Sequence, residues 1–118
     1  MGDAHEHVDK LMQELRRGTI AMGALSQLYN PQYGYSLVTT LNEMGIQVEG
    51  GTLYPLLRRL EKQGYLESTW DTNDPRPRKY YVLSKTGKEA LDLLNEEWEE
   101  IVTSMSQLMK RRNEDGND

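Results

Sequence analysis

Val8, Leu11, Met12, Leu15, Thr19 and Met22 recur at steps of three and four, one apolar stripe of a helix. Ile20, Ala21, Ala24, Leu25 and Leu28 make a second stripe, rotated from the first. A helix apolar on two sides is expected to pack against two bodies, here its own core and a partner. Asn30-Pro31 breaks the pattern, and a second helix is expected over about 33–44, with Leu37, Val38 and Leu41 inward and Gly45 as its stop. Ile46-Gln47-Val48 reads as extended and Glu49-Gly50-Gly51 as a turn. Leu53, Leu56, Leu57 and Leu60 follow at i, i+3, i+4 and i+7, a third helix that closes at Gly64. Pro55 fits best in a first turn, where its missing N–H costs nothing, which favours Thr52 as the N-cap. Residues 65–71 and 78–84 are rich in β-formers and flank the turn 72–77, so they predict a hairpin. Lys85-Thr86-Gly87 then leads into a final helix over about 88–112, and 113–118 is expected to be disordered.

The resulting order is helix, helix, helix, hairpin, long helix. The fold class is therefore mainly α with a small β-hairpin: a winged helix-turn-helix domain (8–87), a C-terminal dimerisation helix (88–112) and a short tail. In such a domain the third helix enters the major groove and the hairpin loop, the wing, touches the backbone or minor groove. Thr52, Tyr54, Arg58, Arg59 and Lys62 lie off the leucine stripe, where hydroxyls and guanidinium groups reach phosphates or base edges. Gly50 and Gly51 allow close approach of the helix start to phosphate. Arg76, Arg78 and Lys79 put three cations on the wing. The same plan also serves a protein-interaction adaptor, or a small-molecule sensor without a specific DNA role, and pattern alone leaves both open.

Charge at first argues against a nucleic-acid partner. The 118-residue chain has 14 Lys and Arg against 19 Asp and Glu, a net −5. By segment, residues 1–9 carry −3, residues 10–90 carry +3 and residues 91–118 carry −5. The acids sit on the termini and last helix, and the body is mildly basic, an asymmetry that suggests two tasks on one chain.

The last helix carries Leu91, Leu94, Trp98, Ile101, Met105 and Leu108 at alternating steps of three and four. That stripe is more than a small domain can cover, so it predicts a homodimer interface. Across a two-fold axis Trp98 would meet its mate and form a slot for planar aromatic ligands, walled by Leu94, Ile101, Leu11 and Leu15; an ordinary buried dimer tryptophan is the alternative.

Other chemistry is weakly signalled. Without cysteine there are no disulfides or thiolate metal sites. His5 and His7 lack a third ligand, no nucleophile pattern or phosphate loop is present, and so no metal, cofactor or enzyme activity is expected. No apolar run approaches a bilayer span and the first 20 residues lack a signal-peptide core, so the expected location is the cytoplasm.

The stretch GTLYPLLRRLEKQGYL (51–66), with YGYSLV (33–38) before it and RPRKYYVLSKTGKEAL (76–91) after it, resembles the PadR family of bacterial transcriptional regulators. The resemblance implies a dimeric, ligand-released repressor that binds a palindromic operator. It also implies DNA contacts at Tyr35, Thr52, Tyr54, Arg78 and Lys79. Position 33 is Tyr where many members carry His. The single C-terminal helix is similar to a small subgroup that includes a lactococcal multidrug-binding regulator, in which a tryptophan matching Trp98 stacks on ligands.

Overall fold

The computed structural model describes residues 2–73 and 75–116, with side chains for 7–73 and 75–113. The elements are α1 (Gly2–Ser26), β1 (Gln32–Tyr33), α2 (Gly34–Glu43), α3 (Gly50–Lys62), β2 (Leu66–Asp71), β3 (Arg78–Leu83) and α4 (Lys85–Gly116).

The leucines of α3 form the middle of the core: Leu53 and Leu57 are fully buried, and Leu56 and Leu60 nearly so. They share one buried cluster with Ala24 and Leu25 of α1, Leu28 just beyond it, Leu37 and Leu41 of α2, Leu66 and Leu83 of the hairpin, and Leu91 of α4. Both α2 and α3 end in Schellman motifs. Gly45 and Gly64 take left-handed φ values of 94° and 91°. The N–H groups of Ile46 and Tyr65 then reach back to the carbonyls of Leu41 and Leu60 at 2.8 and 3.0 Å. The Asn42 amide donates to the carbonyls of Val38 and Val48, both at 2.8 Å, which pins the extended 46–48 segment to α2.

Several boundaries differ from the sequence reading. The expected hairpin is a three-stranded antiparallel sheet in the order β1-β3-β2. Its third strand, Gln32 and Tyr33 paired with Tyr81 and Tyr80, is too short to show alternation; it forms on the free edge of β3. Helix α3 starts at Gly50, with Glu49 rather than Thr52 at the N-cap. The Glu49 carbonyl accepts from the N–H groups of Thr52 and Leu53 at 3.0 and 2.9 Å. Pro55 therefore lies inside the helix. The carbonyl whose bond it removes belongs to Gly51, which is exposed to water. Helix α4 begins at Lys85 because Ser84 caps it, its hydroxyl accepting from the Gly87 N–H at 3.0 Å. The expected disorder from residue 113 is corrected for 113–116, which continue α4, while residues 117–118 lie outside the described residues. Adding a turn to a formed helix needs no new nucleus. The His5-His7 pair falls on α1, and the His5 side chain lies outside the described residues.

The molecule is long, 65 × 36 × 22 Å, with a radius of gyration of 17.7 Å. A compact chain of this length would have about 13–14 Å. The excess comes from α1 and α4, whose N-terminal and C-terminal stretches respectively are solvent-exposed.

The joint between hairpin and α4 is closed tightly. A Cβ at Gly87 would lie 2.0 Å from the Tyr65 carbonyl oxygen, and backbone cannot yield as a side chain does. Gly87→Ala is expected to cost roughly 3 kcal/mol, as overpacking does. A urea-melt midpoint equal to that of the wild type would contradict this close approach.

Candidate nucleic-acid interface

The β1–β3 pairing sets Tyr33 beside Tyr80, and their rings stack at 4.1 Å between centroids. The Tyr80 hydroxyl donates to that of Tyr33 at 2.5 Å, and Tyr33 donates to Asp71 Oδ2 at 2.9 Å. The hydrogen bond with Tyr80, then that with Asp71, holds the Tyr33 phenol well above its usual titration range. Asp71 is held below the usual carboxylate range, first by the Asn73 backbone N–H and then by the Tyr33 hydroxyl. Tyr33 thus ties the start of α2 to the base of the wing. Its value was not visible in sequence, because the short strand that positions it leaves no periodic signal.

Tyr35 stacks on the other side of Tyr33, 5.5 Å between centroids. The Arg78 guanidinium sits 5.3 and 5.5 Å from the Tyr33 and Tyr35 rings and donates to the Tyr35 hydroxyl at 3.0 Å. Across from them Tyr54 lies on two glycines. A Cβ at Gly50 would come 2.8 Å from its ring, and one at Gly34 would come 3.1 Å. A side chain at either position would push the Tyr54 ring from its place, more at Gly50 than at Gly34.

The outcome is a cleft of about 310 Å³ lined by Tyr33, Gly34, Tyr35, Tyr54, Arg58, Pro77, Arg78, Lys79 and Tyr81. It gathers Tyr35, Tyr54, Arg58, Arg78 and Lys79 from the candidates named above. Gly51 and Arg76 are exposed but do not line it, and Thr52 lies on the other flank of α3, in a cleft shared with α1. Lys79 differs from the expected wing cation. It pairs with Glu61 Oε1 at 3.1 Å and lies 5.1 Å from the Tyr81 ring and 6.0 Å from that of Trp70. Burial works against its charge, yet the bonds to Glu61 and Tyr81 outweigh it and raise its pKa. Glu61 also accepts from the Ser68 hydroxyl, the main cause of its lowered pKa.

On α4, Leu91 is buried in its own core and is not an exposed interface residue as the stripe suggested. The reason is position: it lies in the second turn, still beside the sheet. Leu94, Trp98, Ile101, Met105 and Leu108 are exposed, and so are Leu11 and Leu15 on α1, at 64% and 76%.

A family profile described as "Transcriptional regulator PadR-like family" matches residues 22–93. The chain belongs to the PadR-like family of transcriptional regulators. A PadR family transcriptional regulator from Eggerthella lenta is 42% identical, with a TM-score of 0.86 over 92% of this chain and 97% of that one. A PadR-like regulator from Bacillus cereus is 30% identical, with a TM-score of 0.73 over 81% and 96% of the two chains. Transcriptional regulator Rv3488 of Mycobacterium tuberculosis is 36% identical over 81 residues, 68% of this chain and 76% of that one. The winged-helix architecture expected from element order is the architecture of this PadR-like family. Among the described residues, no helix is long and apolar enough to cross a membrane.

A carboxyl whose pKa is lower folded than unfolded stabilises the fold above the ordinary carboxylate range and loses that contribution as pH falls through the folded value. Glu61→Gln is therefore expected to be less stable than wild type at neutral pH and to converge with it on acidification. Urea midpoints taken from about pH 7 to about pH 3 check this. A constant gap would show that the Glu61 carboxylate contributes nothing through its charge.

Proposed function

We propose that this PadR-like protein is a homodimeric, ligand-responsive repressor that binds a palindromic operator through α3 and the wing. The observation that carries the reading is the convergence of Tyr35, Tyr54, Arg58, Arg78 and Lys79 on one cleft between α3 and the sheet. Tyr54 and Arg58 stand on the recognition helix. Arg78 is held by two aromatic rings and a hydroxyl, so its orientation is set before DNA arrives and less freedom is lost on binding. Thr52, Gly51 and Arg76 extend the contact along the helix start and wing tip. Lys79, neutralised by Glu61, positions the wing more than it attracts phosphate.

The partner copy is supplied by α4. Trp98, Ile101, Met105 and Leu108 lie along one side of a 32-residue helix and are each more than 40% exposed. Leu11 and Leu15 of α1 add to the apolar area. Pairing two such surfaces sets the recognition helices about 34–36 Å apart, one turn of DNA. The paired Trp98 rings, with Leu94 and Ile101, form the site for a small aromatic or drug-like effector, as in the small multidrug-binding subgroup. No cofactor enters this reading, and the place of action is the cytoplasm.

Gel shifts on the promoter region of the protein's own gene test the DNA contact. Arg58→Ala and Arg78→Ala are each expected to weaken binding and to flatten the salt dependence by about 0.9 for every phosphate no longer neutralised. Unchanged slopes in both variants would remove the cleft from the interface. For the dimer, Ile101→Asp is expected to convert a dimeric sedimentation profile to a monomeric one, and planar aromatic compounds are expected to quench Trp98 fluorescence only in the dimer. A wild-type monomer at micromolar concentration would overturn this half of the reading.

A further inference from the structure

A second cleft, of about 840 Å³, lies on the other flank of α3. Its α1 wall is Gln13, Arg16, Arg17 and Ile20, and its α3 wall includes Glu49, Thr52, Leu56 and Arg59. Three guanidinium groups therefore face one depression. Among the described residues none of the three has a carboxylate within ion-pair distance. Glu49, at the N-cap, is the one acid on the lining, and its side chain makes no capping bond.

Position on the two helices separates this cleft from the surfaces already described. At 100° per residue, Gln13, Arg16, Arg17 and Ile20 lie about 170° around α1 from Leu11 and Leu15. On α3, Thr52, Leu56 and Arg59 lie about 150° from Tyr54 and Arg58, with exposed Gly51 and Lys62 between them. A helix with its side chains is about 10–12 Å wide and the major groove about 12 Å, so a helix seated there has a phosphate ridge on each side. With α3 so seated, the wing would face one ridge and the α1–α3 cleft the other.

We propose that Arg16, Arg17 and Arg59 form a phosphate-binding cleft for the DNA strand on the side of α3 opposite the wing. The proposal rests on the DNA-binding reading above. Guanidinium groups suit this ligand because their forked donors pair with two phosphate oxygens at once. It also gives the mildly basic body a second place where its charge acts, on the side of α1 turned away from Leu11 and Leu15.

The test uses the full-length chain, a random-sequence duplex of about 24 base pairs and fluorescence anisotropy across a salt series. The double variant Arg16→Ala/Arg17→Ala is expected to bind roughly tenfold more weakly at about 0.1 M salt and to flatten the salt slope by between about 1 and 2. Lys110→Ala/Arg112→Ala, which removes the same charge near the end of α4, is expected to leave the slope unchanged. Glu49→Gln is expected to tighten binding two- to threefold, as removal of one like charge beside phosphate requires. An unaltered slope in the first double variant, or an equal weakening in the second, overturns the proposal. A change in sedimentation in place of the slope makes the cleft a protein contact and overturns it too. Pyrophosphate is titrated in parallel: if it binds the wild type, fails to bind the double variant and leaves the duplex slope the same in both, the ligand is a free phosphate compound. Failure of the wild type to bind any duplex defeats the DNA reading itself, and the cleft's role with it.

Discussion

Everything in this molecule is arranged around the leucine stripe of α3. Leu53 and Leu57 have no access to water, and with Leu56 and Leu60 they belong to one buried cluster to which α1, α2, the hairpin and α4 all contribute. Burying four leucines on one side of a 13-residue helix leaves that helix no freedom to rotate. Its opposite side is thereby obliged to face solvent, carrying Arg58, Lys62 and the glycine-rich start outward. The hydrophobic effect thus sets the presentation of the polar groups, although it touches none of them.

The two flanks of α3 are held differently. On the wing side the geometry is rigid: a stacked pair of tyrosines, a hydroxyl relay into Asp71, an arginine against two rings, and a salt bridge from Lys79 to Glu61. The Lys79 charge is paired with the Glu61 carboxylate there, so its reach at long range is weakened. On the α1 side no described acid is paired with the guanidinium groups, and the cleft is wider. Counting basic residues by sequence would rank the wing first. Pairing discounts Lys79 in that count, since a cation already bound to a carboxylate attracts a third charge weakly.

Net charge is similarly a poor guide to what the protein touches. The −5 of the whole chain is the sum of a +3 body and acidic ends. Many of those acids stand on α4, the helix that projects from the core and carries the exposed tryptophan and its apolar neighbours. Screening confines each group's field to about 8–10 Å at ordinary salt, so an acid weakens a basic surface only where the two lie within that range.

Periodicity determined which segments are helical and which side of each is apolar, because a stripe such as Leu53, Leu56, Leu57 and Leu60 has one way to be buried; Gly45 and Gly64 marked the ends of α2 and α3, because they take a φ that other residues avoid, while the starts of α3 and α4 were not legible. The motif TLYPLLRRLE was enough to place the chain in its family. What sequence could not decide was anything that depends on a contact between distant segments. Strand β1 exists because β3 offers it an edge, and Tyr33 matters because that edge sets it beside Tyr80. Lys79 and Arg78 are neighbours in sequence and look alike as cations, yet alternate sides of a strand send one to Glu61 and the other to Tyr35. Leu91 and Leu94 belong to one stripe, and only the place where α4 leaves the sheet buries the first and exposes the second. Local patterns fix which side of an element is apolar; which atoms meet it is settled when the elements pack, since that choice lies in the third dimension.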